Sequence, residues 1–198
     1  MYKRQHLGTV GYGGMNVTSD IVHGLGVTQA DAEKLKEQYG AAFEALVPQS
    51  EKIRLPSTGA QGEREIPRSL LAHIIHQRTQ EIFELVLRDI EQAGLIKKLS
   101  AGVVITGGAS AQPGTADLAN DVFGLGSRIG IPGEFLGGLA DSVQSPRFAT
   151  VTGLVQYGAH RVAIGTSHGK GKRLSLTNAG PSMDNLAARF KTWLQDFF

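Results

Sequence analysis

The feature that most restricts the fold of this chain is a short apolar segment, Val103-Val104-Ile105-Thr106, with Gly102 before it and Gly107-Gly108 after it. Valine and isoleucine branch at Cβ and favour extended backbone. The flanking glycines limit the run to the length of a strand, and an uninterrupted apolar run is typical of a strand that is covered on both faces. The segment therefore predicts a buried strand within an α/β fold.

Helical patterns lie on both sides of this strand. Thr28 and Asp31 form a variant of the capping box and Gly40 supplies a C-terminal stop, which together predict a helix over 29–39. A long helix over 68–93 is predicted from an inner face of Leu71, Ile74, Ile75, Ile82, Leu85 and Val86. The remaining predicted elements are helices over 115–123 and 146–157 and strands over 52–55 and 127–131.

The alternation of strands and helices predicts an α/β lobe with a partly parallel sheet. Residues 41–67 are punctuated by proline and glycine and are predicted to be irregular apart from the strand over 52–55. We interpret this segment and the long helix after it as a smaller lobe inserted into the first.

Composition excludes several classes of protein. The 198 residues are 41% apolar and 19% charged, which is ordinary for a globular protein. A net charge of +2 with no dense basic run argues against a nucleic-acid partner. Without cysteine, neither a disulfide framework nor a thiolate metal site can form. His73 and His76 lack a third ligand, so we predict no metal site and interpret the pair as a partly exposed helix face.

The chain shows no apolar run of about 20 residues and no signal peptide after Met1. Any membrane contact is therefore expected to be peripheral and on the cytoplasmic side. The last sixteen residues suggest such a contact, because at 3.6 residues per turn their apolar side chains form one stripe. The stripe consists of Met183, Leu186, Ala187, Phe190, Trp193, Leu194, Phe197 and Phe198.

This terminal stripe has two interpretations. A C-terminal amphipathic helix commonly docks on its own core. Here, however, the aromatic residues follow a basic stretch, since residues 161–182 contain four Lys or Arg and no Asp or Glu. An aromatic face with Arg189 and Lys191 among the polar residues suits a membrane interface with anionic lipids.

Two pairs of glycines suggest where chemistry could take place. Gly107-Gly108 follows the buried strand, and ligands of open α/β sheets bind at the carboxyl ends of strands. Gly13-Gly14 forms a second pair near the start. Glu33 and Lys36 share a helix face from which they could contact the hydroxyls and base of a nucleoside. Each signal has a plainer explanation, a tight turn for the glycines and a solvated surface pair for Glu33 and Lys36.

Taken in order, these motifs resemble the FtsA family of bacterial cell-division proteins, which are actin-like and bind ATP. The resemblance runs from about Val10 onward. Its motifs are Gly13-Gly14 with Thr18-Ser19-Asp20, Asp31 to Gly40, Ile74-Ile75 with Arg78 and Glu81, Val104 to Ala109, Arg128-Ile129-Gly130, and Gly153-Leu154 with Tyr157-Gly158. The family also ends in a flexible linker and an amphipathic membrane-targeting helix, as this chain is expected to do.

The resemblance implies an actin-like (ribonuclease H-like) lobe formed by residues 1–40 and 99–158. It further implies a smaller inserted lobe at 41–98, a flexible basic linker at 159–182 and a membrane-targeting helix at 183–198. By position, Gly107, Gly108 and Ala109 match the adenosine motif. Gly13 and Gly14 match glycines that face the phosphates and sugar, and Glu33 and Lys36 match residues beside the ribose and adenine.

The resemblance also implies partners. The smaller lobe would carry the docking surface for the C-terminal tail of FtsZ, with Arg78 or Glu81 as candidate contacts. An Arg–Glu pair buried within the lobe explains the same two residues. Self-association into actin-like filaments and binding to anionic lipids at the inner membrane of the division septum are expected too.

The family's N-terminal half, with part of its phosphate and Mg²⁺ loops, has no counterpart in this sequence. We therefore expect the chain to match a C-terminal half, to bind ATP with Mg²⁺ poorly by itself, and to come from a truncated gene product or a fragment.

Two functions follow as hypotheses. The first is a non-enzymatic tether that holds the FtsZ ring at the cytoplasmic face of the inner membrane and helps to assemble the divisome. The alternative is half of an ATP-binding kinase or ATPase of the actin and sugar-kinase superfamily. We prefer the tether, because no Asp lies in a sugar-phosphorylating context and a kinase has no need of a terminal aromatic helix.

Overall fold

A computed structural model of the protein describes residues 6–57, 62–133 and 140–167. The α-helices in these ranges are α1 (Gly14–Leu25), α2 (Gln29–Tyr39), α3 (Arg68–Gln92), α4 (Thr115–Phe123) and α5 (Ala149–Ser167). The strands are β1 (Lys52–Leu55), β2 (Arg64–Pro67), β3 (Val103–Ile105) and β4 (Ser127–Ile129). The mixture of helices and strands confirms the α/β class.

The described strands form two small sheets. β3 pairs with β4 in parallel, with Val104 opposite Arg128, which agrees with the expected partly parallel sheet. The prediction that this strand is covered on both faces is wrong, because Val104 is 54% exposed. β1 pairs with β2 antiparallel, with Ile53 opposite Ile66. The sequence does not predict β2, because its Arg-Glu-Ile-Pro segment contains a single β-branched residue and ends in proline.

Helix α1 is also not predicted from the sequence, because it starts at Gly14 and its N-cap is Gly13. The residue that caps the start of this helix, Asn16, lies inside the first turn. The N–H of Gly13 donates to Asn16 Oδ1 at 2.9 Å, and the N–H of Asn16 donates to the Gly13 carbonyl at 2.9 Å. This reciprocal pair satisfies donors that a helix start otherwise leaves open.

Helix α3 contributes to two large apolar clusters, and its Ala72 joins a third, smaller cluster with Ala41 and Val47. Its first half buries Leu71 and Ile75 against side chains of α1, α2 and β1. Its second half buries Phe83 against α4, with β3 packed on the same cluster. Of the predicted inner face, Leu71 and Ile75 are fully buried. Burial of a large apolar side chain contributes roughly 1.5–3 kcal/mol, so both large clusters depend on this helix.

Helix α5 begins at Ala149, after a 3₁₀ turn over Pro146–Phe148, and continues past the predicted end at Tyr157 to Ser167. It therefore enters the segment predicted to be a linker. Gly158 lies within the helix, and a glycine there costs only about 1 kcal/mol relative to alanine, which is too little to end it. No helix in the described ranges has the length and apolarity needed to cross a membrane. The rest of the predicted linker and the helix predicted at 183–198 lie outside the described residues.

Replacement of Leu71 by alanine should destabilise the protein by about 2–5 kcal/mol, because the side chain is 0% exposed and its removal leaves a cavity. Leu70→Ala is the matched control. Leu70 is 43% exposed, so its replacement should lower the free energy of unfolding far less. Urea denaturation of the two variants measures the difference. Equal losses would contradict the burial described here.

Candidate functional site

Five of the seven predicted nucleotide-binding residues line one recess of about 560 Å³. It lies where the start of α1, one face of α2 and the turn after β3 come together. The residues predicted from the sequence that line it are Gly14, Glu33, Lys36, Gly108 and Ala109. Gly13 lines an adjoining, largely apolar cavity of about 130 Å³. The fold thus brings three distant sequence motifs to one place.

The turn after β3 requires glycine for its backbone. Gly107 has φ +100°, a conformation that side-chain-bearing residues rarely adopt. Its N–H donates to the carbonyl of Pro146 at 3.1 Å, which fixes the turn against the segment before α5. Gly107 itself is therefore a conformational residue, whereas Gly108 faces the recess.

The two glycine motifs approach each other closely. A Cβ atom on Gly14 would lie 3.3 Å from the Cβ of Ala109 and 3.8 Å from Lys36 Nζ. The first distance is tighter than an ordinary van der Waals contact, so a larger residue would push α1 and the turn apart. Gly14 keeps this side of the recess narrow.

Lys36 is at the centre of a hydrogen-bonded network between α1 and α2. Its Nζ donates to Glu33 Oε2 at 2.7 Å, to Thr18 Oγ1 at 2.8 Å and to the Gly14 carbonyl at 3.2 Å. Thr18 Oγ1 in turn lies 2.5 Å from Glu33 Oε2. An ammonium group has three donors, and all three are used here. Lys36 is 12% exposed, so Glu33 and Lys36 are a partly buried pair and not a fully solvated one.

The network also fixes the charge of Glu33. Partial burial acts to raise the pKa of Glu33, but hydrogen bonds from Lys36 and Thr18 and the charge of Lys36 outweigh it and hold that pKa below its usual value. Glu33 is therefore a carboxylate at neutral pH. Its contribution to stability is present above the pKa of the unfolded chain and is lost as the pH falls through the lower folded-state pKa.

The recess also includes side chains for which the sequence predicts no role. Gln112 lines it and donates from Nε2 to the Lys36 carbonyl at 2.6 Å, joining the turn after β3 to the end of α2. Glu37 and Arg147 add one negative and one positive charge. Glu37 directly follows Lys36 in the sequence, and this position beside a predicted site residue is the signal that indicates it. Arg147 comes from another part of the chain, and no local pattern indicates it.

Arg78 and Glu81, the candidate partner contacts, lie on α3. The Arg78 guanidinium donates to both carboxylate oxygens of Asp20 on α1, with Nη2 to Oδ1 at 3.0 Å, and also to Glu81. Its side chain is 25% exposed and that of Glu81 is 51% exposed. Arg78 thus joins α1 to α3, while Glu81 presents a carboxylate at the surface; the contact with FtsZ stays a prediction.

The two histidines of α3 have protein partners. His73 Nδ1 lies 2.8 Å from Glu44 Oε2, and His76 Nδ1 lies 3.0 Å from the Ala42 carbonyl. Among the described residues, no three His, Asp or Glu side chains come together as a metal site.

Similarity to known proteins extends over nearly the whole chain. The family model described as "Cell division protein FtsA" matches residues 1–153. The chain is 32% identical to the cell division protein FtsA of Pseudomonas aeruginosa and 33% identical to that of Escherichia coli K12. Each alignment covers 98% of this chain and 46% of the relative, so the chain spans about half the length of these relatives.

A solved structure shares the fold. The chain resembles MreB5 of Spiroplasma citri, solved bound to ADP, with a TM-score of 0.55 and 15% identity. The match covers 79% of this chain and 46% of that one. At this identity the likeness shows an actin-like fold alone. The family is shown by the family model, which matches more than three quarters of the sequence: the chain belongs to the FtsA family of cell-division proteins.

Proposed function

We propose that this chain acts in cell division as a non-enzymatic tether, which holds FtsZ at the cytoplasmic face of the inner membrane at the septum. The observation that carries the proposal is the extent of the similarity to FtsA proteins. It covers 98% of the chain and therefore reaches the terminal segment that bears the apolar stripe.

The proposed division of labour follows the predicted segments. Residues 1–40 and 99–158 form the actin-like large lobe, and residues 41–98 form the smaller lobe that receives the FtsZ tail. Residues 159–182 lead to the amphipathic helix at 183–198, which binds anionic lipids. Filament formation through the actin-like lobes would present many such helices together.

Presentation on a filament matters because a single terminal helix binds weakly. Burial of a large apolar side chain contributes roughly 1.5–3 kcal/mol, but an interfacial helix is only partly immersed. Ordering its backbone costs about 1–2 kcal/mol per residue before hydrogen bonds compensate. Several helices on one filament raise the effective concentration and convert weak contacts into stable recruitment.

We further propose that the recess binds the nucleoside part of ATP. Its volume of about 560 Å³ lies in the range of small-molecule sites, and its glycine-lined side lets a ligand approach the backbone. Glu33 and Glu37 can accept hydrogen bonds from ribose hydroxyls, and Gly14, Gly108 and Ala109 leave room for the base. When bound, Mg²⁺ would neutralise phosphate charge. The chain spans 46% of its FtsA relatives, so we expect it to bind ATP weakly by itself.

Trp193→Glu should release the chain from anionic liposomes, lowering the pelleted fraction about tenfold, because a charge replaces the largest side chain of the stripe. Thr192→Glu is the matched control. At 100° per residue it lies opposite the stripe and adds the same charge. Pelleting that fell equally in both variants would show a charge effect and would count against the stripe as the membrane contact.

FtsZ should pellet with liposomes only when this chain is present, and Glu81→Ala should weaken that recruitment about fivefold if α3 carries the docking surface. Glu81 is a better probe than Arg78, whose removal would break the contact between α1 and α3. Glu91→Ala, at an exposed position near the end of the same helix, removes the same charge as a control. Equal recruitment by the two variants would exclude Glu81 from the FtsZ contact.

Ala109→Leu should reduce the affinity for adenosine at least tenfold, because the added atoms would project from the lining of the recess beside Gly14. Ala101→Leu introduces the same side chain at an exposed position before β3 and should have no effect. Titration of both variants with adenosine, followed by protein NMR, measures the difference. Unchanged binding by Ala109→Leu would place the nucleoside elsewhere.

A further inference from the structure

Arg147 is held at the recess by the backbone on either side of it. It lies in the 3₁₀ turn Pro146–Phe148, and the N–H of Phe148 donates to the Ser145 carbonyl at 3.0 Å. Pro146 is buried, and its carbonyl accepts a hydrogen bond from the N–H of Gly107 at 3.1 Å. The main chain of Arg147 is thus fixed against the glycine turn, although its side chain is exposed.

The side chain of Arg147 starts directly beside the glycine turn. A Cβ atom on Gly108 would lie 3.9 Å from the Cβ of Arg147, which is ordinary van der Waals contact. The guanidinium carbon lies 5.0 Å from the centroid of the Phe148 ring. An aromatic ring at this distance favours a stacked or cation–π position for guanidinium. Phe148 therefore restrains the guanidinium, and Arg147 lines the recess together with Gly108.

The charges around the recess distinguish Arg147 from Lys36. All three donors of Lys36 are used by Glu33, Thr18 and the Gly14 carbonyl. Arg147 forms no hydrogen bond or ion pair with the described residues beyond its contact with the Phe148 ring. Among the described residues that line the recess, Arg147 is therefore the cation whose side chain has no hydrogen-bond or ion-pair partner, and it can contact a ligand.

The same charges indicate which part of a nucleotide Arg147 contacts. Glu33 and Glu37 also line the recess, so its two carboxylates balance the two cations and give it no net attraction for phosphate. A neutral planar base is not repelled by the carboxylates, and guanidinium planes stack on bases. The balance of charge in the recess therefore favours the base over the phosphates as the partner of Arg147.

We propose that Arg147 is the stacking platform for the purine base in this recess, an inference that rests on the nucleotide-binding function proposed above. The guanidinium, backed by the Phe148 ring, forms a flat wall beside Gly108. The base lies against this wall, and the ribose hydroxyls face the carboxylates of α2.

Three substitutions of Arg147 in the full chain separate a planar contact from a charge contact. Arg147→Ala should weaken adenosine binding about tenfold, since loss of one base-stacking partner typically has an effect of this size. Arg147→Lys should weaken it nearly as much, because it keeps the charge but removes the plane. Arg147→Tyr should bind within about threefold of the original chain, because it keeps a plane without the charge.

The measurement is titration with adenosine and, separately, with ribose 5-phosphate, followed by protein NMR, with circular dichroism to show that each variant is folded. Arg161→Ala is the matched control: it removes another guanidinium–aromatic contact, that of Arg161 with the Tyr157 ring at 5.4 Å, and should not change adenosine binding.

Each outcome bears on one of the two proposals. Adenosine binding that survives Arg147→Ala, or that Arg147→Lys retains while Arg147→Tyr loses it, would overturn the stacking role and leave the nucleotide site standing. A loss in Arg147→Ala confined to ribose 5-phosphate would overturn it as well, in favour of a phosphate contact. Failure of the unsubstituted chain to bind adenosine at millimolar concentration would overturn the nucleotide site, and the stacking role with it.

Discussion

The packing of helix α3 against two large apolar clusters is the constraint on which α1, α2, α4, β1 and β3 depend. Leu71 and Ile75 hold its first half against α1, α2 and β1, and Phe83 holds its second half against α4 and β3. Because one rigid helix belongs to both clusters, a shift of either end would be carried to the other. The Arg78–Asp20 contact adds a polar link between α3 and α1 between these two regions.

The position of the recess follows from this arrangement. α3 places the start of α1 and the end of β3 near one another, so that a Cβ on Gly14 would lie only 3.3 Å from the Cβ of Ala109. α2 packs on α1 and delivers Lys36 to the same point. No single element contains the site. Its geometry depends on the relative placement of three elements, which the apolar clusters set.

Signals that are local in sequence predicted their structures well, and signals that depend on contacts between distant residues did not. The strand at Val103–Ile105 follows from β-branched residues between glycines, and α2 from its capping residues. α1 is the exception, since its capping contact is local, but the sequence does not indicate it because glycines occupy its start and Asn16 caps it from within the first turn. The seven predicted nucleotide residues lie in or beside the recess, but the Thr18 contact and Arg147 depend on tertiary structure that no spacing rule contains.

The network around Lys36 has a consequence for the thermodynamics of ligand binding. Since every donor of its ammonium group already has a protein acceptor, a ligand that contacts Lys36 exchanges one hydrogen bond for another and adds none. The gain in enthalpy at this residue is therefore small. What the recess offers a ligand is a shape that is already formed, so little conformational entropy is lost when it fills. Discrimination between ligands would then come from fit within the recess and not from the strength of a single charge.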